Sequence, residues 1–267
     1  MRTWQSSGEV APSPVNWRPP TRLSSALFAI KVALLQLRRA MRDLGARVRR
    51  HGTSDASAFP ALYASSRSLL WPDVADAEHA FQLGKVQNLR AAAAALDGVV
   101  IPAGEVFSFW KQVGRTSEGR GYAVGRMLQQ GCMVPAIGGG LCQLSNSLYD
   151  VALQTGCEIT ERHAHSRIVP GSAAALGRDA TVAWNYVDLR FRPRVTVRLE
   201  VRLEADELVV ALAGMQASLD GDWKMAPTAA PASELVQPVA RSCATCNETD
   251  CFRHEPPPEA GGDRSRA

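Results

Sequence analysis

Long apolar runs are missing from this sequence, which argues against a membrane-spanning helix. The most apolar stretch, residues 24–37, is interrupted by Lys31 and is shorter than the roughly 20 residues that a spanning helix needs. Residues 1–20 contain four prolines and no apolar centre, so we expect no signal peptide there. We therefore expect a cytoplasmic protein, with peripheral membrane association as the alternative.

Cysteines are too unevenly spread to form a disulfide framework. Six are present, and three of them lie within nine residues near the end of the chain. A chain of 267 residues can also bury a core without such cross-links. The cysteines therefore favour a reduced protein and indicate metal binding or thiol chemistry instead.

A strong excess of one charge is also missing. Thirty basic residues against 26 acidic ones leave a net charge of +4. Nucleic-acid binding needs a concentrated basic surface, so we expect no nucleic-acid partner.

The chain divides into segments of different composition. Residues 1–22 are rich in proline, serine and arginine and predict a disordered arm. In residues 23–50, apolar residues recur at three- and four-residue steps and arginines gather toward the end, which predicts a cationic amphipathic helix. This helix either docks on the following domain or lies on a membrane surface. The rest divides into a domain, a linker, a metal-binding tail and a disordered end, over residues 70–215, 216–242, 243–254 and 255–267.

The domain is predicted to be α+β. N-terminal helices precede a mainly antiparallel sheet, which packs on a central helix that begins at a Gly-Gly-Gly-Leu-Cys loop. A helical pattern over residues 142–154 defines that central helix. Alternation of period two predicts strands over residues 181–184, 189–191, 195–203 and 208–212.

The glycine run before Cys142 is the most informative segment. Three glycines permit positive φ angles and close approach of another chain or a ligand. Cys142 would lie in the first helical turn, where free N–H groups and the helix dipole favour a thiolate. A nucleophilic cysteine needs these surroundings. Gln143 would then donate a hydrogen bond to an oxyanion.

Histidine and aspartate follow in an order that suits thiol catalysis. His163 and His165 would share one face of a strand, and Asp179 would open the next strand. Cysteine, histidine and aspartate would form a nucleophile, a base and a group that orients the base, by topological analogy with papain-like enzymes. Three alternatives remain: a buried structural cysteine, a ligand site without catalysis, and a metal held by Cys142 and the histidines.

Several motifs, taken in order, resemble the VanW-like domain, and they lie in residues 102–109, 113–116, 138–145, 161–166 and 177–182. The resemblance implies an association with vancomycin-resistance gene clusters and with cell-envelope or peptidoglycan biology. Its Glu-Arg-x-x-His-Ser pattern favours His165 over His163. The distinctive positions of the family fall on Gly139, Gly140, Cys142, Gln143, Ser145, Arg162, His165 and Asp179.

Two functions are consistent with these residues. The first is a cysteine-dependent hydrolase or acyltransferase that acts on a small-molecule or envelope-derived amide, with Cys142, His165, Asp179 and Gln143 as catalytic residues. Substrate contacts in this hypothesis would come from Gly139, Gly140, Ser145 and Arg162. The second is a non-catalytic ligand-binding or accessory module of envelope metabolism.

The end of the chain predicts a metal site of its own. Three cysteines and one histidine occur within twelve residues, at Cys243, Cys246, Cys251 and His254. Three thiolates and an imidazole form a tetrahedral zinc set, and an iron–sulfur cluster is the alternative. The metal would fold this unit, because twelve residues cannot bury a core.

Overall fold

A computed structural model of the chain describes residues 21–46, 48–71, 79–129, 132–165 and 176–215. The helices in these ranges are Arg22–Gly45 (α1), His79–Leu96 (α2), Phe109–Val113 (α3) and Cys142–Gln154 (α4). The strands are Ala61–Leu69 (β1), Val100–Ile101 (β2), Phe107–Ser108 (β3), Val124–Gln129 (β4), Cys132–Ile137 (β5), Glu158–Glu161 (β6), Arg190–Arg192 (β7), Val197–Glu204 (β8) and Glu207–Gly214 (β9). The predicted α+β class is confirmed.

The largest sheet is fully antiparallel, with the strand order β1-β9-β8-β2. Strands β8 and β9 form a hairpin whose two-residue turn places Ala205 at a φ of 47°. Nearly every residue of β9 is buried, because this strand lies inside the sheet and packs against α4. This sheet is the support on which α4 rests.

Two smaller sheets also lie within the described ranges. One has the order β3-β7-β6, and the other is the pair β4-β5. The rings of Phe107 on β3 and Phe191 on β7 stack with their centroids 4.7 Å apart, and both side chains are fully buried. This stacking places the centre of the β3-β7-β6 sheet in the hydrophobic core.

Helix α4 begins at Cys142 and ends at Gln154, as the sequence predicts. Its inward face buries apolar side chains that recur at three- and four-residue steps, namely Leu144, Leu148 and Val151. The helix packs against β1 and β9 and contacts β6. Cys142 is thereby held at a fixed place beside the segment that follows β6.

Three sequence predictions need correction. The predicted strand over residues 181–184 is wrong: Ala183 forms only an isolated bridge with Val187, around a turn in which Asn185 has a φ of 51°. His165 and Asp179 also lie in irregular segments rather than on strands. Strand β1 was not predicted at all, and it lies before residue 70, where the predicted domain began.

Helix α1 ends at Gly45, five residues earlier than the predicted amphipathic helix. Of the helices in the described ranges, none has the length and apolar character to cross a bilayer. The predicted arm, linker, metal-binding tail and C-terminal end lie wholly or almost wholly outside the described residues, which begin at residue 21 and stop at residue 215.

Candidate functional site

The glycine turn before α4 is shaped by close packing. Gly138 and Gly140 have φ angles of 80° and 92°, which disfavour any side chain. A Cβ atom on Gly139 would lie 2.3 Å from the backbone of Gly125 on β4. The turn itself therefore requires Gly139 and Gly140, and their contact with substrate stays a prediction.

Cys142 is the first residue of α4, and the residue is partly exposed. No side chain caps this end of the helix, so the positive end of the helix dipole acts on the residues of the first turn. The thiol also lies 3.8 Å from the carbonyl oxygen of Val182, close enough for a weak hydrogen bond. Cys142 also packs against the hydrophobic core, so it lies at the boundary between the core and the surface.

His165 lies between Cys142 and Asp179. Its ring Nδ1 is 2.7 Å from Oδ2 of Asp179, and Cys142 is the neighbour that raises its pKa most. An ionised carboxylate only accepts hydrogen bonds, so Nδ1 is the donor and Nε2 is left for the sulfur. The three residues that the sequence analysis named as nucleophile, base and orienting acid are thus brought together in that order.

Charge in this cluster favours a protonated imidazole. The hydrogen bond with Cys142, and after it the charges of Cys142 and Asp179, raise the pKa of His165 to about 9 against the opposing effect of burial. Burial also works against ionisation of Asp179, but the hydrogen bonds from His165 and the charge of Arg162 outweigh it and lower the pKa of that carboxyl. The cluster therefore pairs an ionised carboxylate with an imidazole that favours its protonated form.

Arg162 holds Asp179 from the side opposite His165. Its Nε donates to the backbone oxygen of Asp179 at 2.7 Å, and its Nη2 donates to Oδ1 at 2.6 Å. The guanidinium also lies over the ring of Tyr149, 5.2 Å from the centroid. The role of Arg162 in binding substrate stays a prediction, and the contacts that the structure shows join it to Asp179 and Tyr149.

Helix α4 is joined directly to the segment that carries Asp179. The backbone N–H of Ala180 donates to Oδ1 of Asn146 at 2.7 Å, and the hydroxyl of Ser145 donates to the oxygen of Ala180 at 2.5 Å. Ser145 is completely buried, and its role in binding substrate stays a prediction. These two bonds fix the distance between the cysteine helix and the aspartate.

Gln143 points to β1 and not to the sulfur. Its side-chain nitrogen donates to Oγ of Ser68 at 2.9 Å and to the oxygen of Leu69 at 2.8 Å. Both hydrogens of the amide are thus used within the fold. The role of Gln143 as an oxyanion donor stays a prediction, and in the structure the residue attaches α4 to β1.

The remaining histidine of the motif stands apart. His163 is exposed and lies with Nε2 3.2 Å from Oε1 of Glu161. Within the described ranges, no group of three or more histidine, cysteine or acidic residues is arranged to hold a metal ion. The predicted metal set from Cys243 to His254 falls outside those ranges.

Lys85 on α2 was missed by sequence reasoning. It is buried, and its stem fills the space above Gly140, where a Cβ atom would lie 2.2 Å from Cγ of Lys85. Burial, and then the charge of Arg126, lower the pKa of Lys85 to about 7. The flanking residues Gly84 and Val86 are also buried, so a lysine inside a buried helical stretch was the available signal.

Comparison with known proteins identifies the domain. The profile of the family described as "VanW like protein" matches residues 84–213. The chain is 34% identical over 115 residues to the uncharacterized protein YoaR of Bacillus subtilis (strain 168), a match that covers 43% of this chain and 37% of that protein. It is 35% identical over 136 residues to the vancomycin B-type resistance protein VanW of Enterococcus faecalis (strain ATCC 700802 / V583), a match that covers 48% of this chain and 49% of that protein.

Each match therefore spans less than half of the relative's length. No solved structure matches the chain significantly. The family profile covers every residue of the Cys142, His165 and Asp179 cluster, together with Arg162 and Gln143. Residues 84–213, just under half of the chain, therefore form a VanW-like domain.

Proposed function

We propose that this protein is a cysteine-dependent hydrolase or acyltransferase that acts on an amide bond of a cell-envelope substrate. The observation that carries the proposal is the position of His165, whose ring Nδ1 lies 2.7 Å from Oδ2 of Asp179 and whose pKa is raised most by Cys142. A nucleophile, a base and a group that orients the base are the parts that thiol catalysis needs.

Each side chain has one task in this proposal. Cys142 supplies the thiolate, and the helix dipole and the imidazolium stabilise it. His165 carries the proton, and Asp179 fixes the orientation of the ring. Arg162 acts one step further away, by holding the carboxylate of Asp179.

In this proposal the reaction has two steps, acylation of Cys142 and then deacylation. The thiolate of Cys142 adds to the amide carbonyl carbon, a C–S bond forms, and the C–N bond breaks as His165 gives its proton to the leaving nitrogen. The products of this step are a thioester on Cys142 and a free amine. Water or an acceptor amine then gives a proton to His165 and attacks the thioester, which breaks the C–S bond and restores the thiolate.

The substrate class comes from the relatives. One relative carries the name of a vancomycin B-type resistance protein, which supports an association with the cell envelope. Amide bonds of envelope-derived peptides are therefore the substrates we propose. The match covers only 49% of that protein, so this assignment concerns the shared domain.

A second candidate function is ligand binding without catalysis. An open cleft of about 470 Å³ lies on α2, lined in part by Trp71, Leu83, Gln87 and Arg90. Neither Cys142 nor His165 lines this cleft. A protein that bound an envelope fragment at this cleft would act as an accessory module.

The test compares Cys142→Ala, His165→Ala and the control Cys157→Ala in cells and in vitro. Cys157 is buried and lies outside the cluster, so its loss reports on general damage. We expect the first two variants to fold, as judged by circular dichroism. In a strain in which the gene is deleted, we expect the natural protein to restore the envelope phenotype and these two variants to fail to restore it. We also expect envelope peptides to leave an acyl adduct on Cys142 that hydroxylamine removes. A folded Cys142→Ala variant with full complementation would support the accessory module instead.

A further inference from the structure

Helix α1 presents an apolar face to solvent. Its seven large apolar side chains on this face are between 58% and 83% exposed: Leu23, Leu27, Ile30, Leu34, Leu37, Met41 and Leu44. They follow one another at alternating steps of four and three residues, which places them along a single stripe of the helix. Surface helices of globular proteins normally turn such a stripe inward.

The polar face of α1 is the one that contacts the domain. Gln36 donates to the backbone oxygen of Trp184 at 2.9 Å, and Arg39 donates to the oxygen of Tyr186 at 3.0 Å. Arg39 also pairs with Glu161 at the end of β6. The helix therefore docks in the reverse of the usual orientation.

A second ion pair fixes that orientation. Asp43, the one buried residue of α1, pairs with Arg190 on β7 at 2.7 Å. Arg190 in turn lies 2.7 Å from the buried carboxylate of Asp188. Rotation of the apolar stripe toward the domain would break these bonds and leave buried charges without partners, which strongly disfavours it.

The charges along α1 indicate which kind of partner its exposed apolar face binds. Four cations, Arg22, Lys31, Arg38 and Arg42, are exposed along α1, and the only acidic residue of the helix, Asp43, is buried against Arg190. A stripe with steps of four and three would also suit a coiled coil between two copies of α1. Each copy would bring its exposed cations to that contact and no exposed acidic residue, so the two helices would repel one another. Anionic lipid headgroups have the opposite charge, and the acyl boundary accepts the leucines.

We propose that α1 is a peripheral membrane-binding helix, whose apolar stripe enters the surface of an anionic bilayer while its polar face holds the domain. Binding would then combine burial of the leucines with attraction between the cations and the lipid headgroups. The attraction would weaken with added salt, because surface charges are screened. The proposal is independent of any reaction at Cys142.

The test is co-sedimentation of the full chain with vesicles. One set contains phosphatidylcholine alone, and the other contains phosphatidylcholine with phosphatidylglycerol. We expect binding to the mixed vesicles to exceed binding to the neutral ones at least about tenfold, and to fall as salt is raised. Protein that stays in the supernatant with both kinds of vesicle would overturn the proposal.

Two variants separate the apolar and electrostatic contributions. The variant Leu27→Ser/Leu34→Ser/Leu37→Ser should lose binding about tenfold or more, and Lys31→Gln/Arg38→Gln should lose mainly its preference for phosphatidylglycerol. The matched controls are Leu62→Ser, an exposed leucine of β1, and Arg90→Gln, an exposed arginine of α2. The proposal is wrong if the triple variant binds like the natural chain. It is also wrong if light scattering shows a dimer that only the triple variant dissociates.

Discussion

Oδ2 of Asp179 receives two hydrogen bonds from the same residue, His165. The backbone N–H of His165 donates at 2.6 Å, and the ring Nδ1 donates at 2.7 Å. A single carboxylate oxygen thereby fixes both the backbone and the ring of the histidine. The imidazole cannot turn away from Cys142 without losing the second of these bonds, so its orientation is set before any substrate binds.

The first prediction concerns the reactivity of Cys142. His165 is an imidazolium at neutral pH, so we expect iodoacetamide to alkylate Cys142 rapidly at pH 6 to 7. Alkylation should slow about tenfold or more in His165→Ala, because the stabilising cation is gone. Cys157 is the internal control, since burial raises the pKa of its thiol. Mass spectrometry of the modified peptides gives both rates, and equal rates at the two cysteines would contradict the prediction.

The second prediction concerns the titration of His165. We expect NMR to give a pKa near 9 for its imidazole, and we expect Cys142→Ala to lower it more than Asp179→Asn does, because the bond with Cys142 is the largest cause. A folded-state pKa above the unfolded value near 6.5 stabilises the fold below that value, and the contribution is lost as pH rises through about 9. Unfolding by urea at pH 6 and pH 10 should show this loss, relative to His165→Gln. A histidine pKa that Cys142→Ala leaves unchanged would refute the contact.

The third prediction concerns Arg162 as a positioning residue. We expect Arg162→Ala to lower the free energy of unfolding by about 2–3 kcal/mol, because the buried Asp179 loses two charge-assisted bonds. The alkylation rate of Cys142 should fall as well, and Arg162→Lys should restore little, because lysine lacks the planar fork. The control is Arg67→Ala, whose exposed ion pairs on β1 should be worth less than about 1 kcal/mol. Equal losses in the two alanine variants would contradict the assignment.

The fourth prediction separates a structural role of Gln143 from a catalytic one. We expect Gln143→Ala to lower the free energy of unfolding by about 2 kcal/mol, because α4 loses two bonds to β1. The alkylation rate of Cys142, measured where the variant is folded, should stay within about twofold of the natural chain. Gln154→Ala is the matched control, since Gln154 reaches β1 only through a long contact of 3.4 Å. A stable Gln143→Ala variant that had lost turnover of an envelope peptide would restore the oxyanion role.

The fifth prediction concerns the cysteine-rich tail. We expect protein purified without chelator to contain one equivalent of zinc, and we expect Cys246→Ser to lower that content to near zero. Elemental analysis and the visible spectrum of protein purified without oxygen distinguish zinc from an iron–sulfur cluster. Cys157→Ala should retain the metal. A natural chain that binds neither metal would disprove the site.

Local signals allowed much of the fold to be predicted from the sequence. The end of α4 at Gln154 and the hairpin of β8 and β9 follow from helical periodicity and from alternation. Strand β1 has a weak signal because serines and an arginine occupy its centre, and only its pairing with β9 makes it a strand. Residues 181–184 show the opposite case, since a pattern of period two there forms only one isolated bridge and the start of a turn.

The candidate site divides in a similar way. Residue types and motif order sufficed to name Cys142, His165 and Asp179, because the chemistry of each is specific. The partners of Gln143 and Ser145 could not be predicted, since they come from β1 and from the backbone of Ala180, far away in sequence. The burial of Lys85 could not be predicted either, because its contact with Gly140 forms only in the folded chain.

The position of β1 has a consequence for any attempt to isolate this domain. The family match starts at residue 84, after β1 and α1 have ended. A fragment that starts at that point would lack β1 and would expose the edge of β9 that pairs with it. The unpaired N–H and C=O groups of β9 could then pair with a strand of another molecule. It would also remove the helical partners of Glu161 and Arg190. Such a fragment should aggregate, and the smallest soluble unit should start ahead of residue 22.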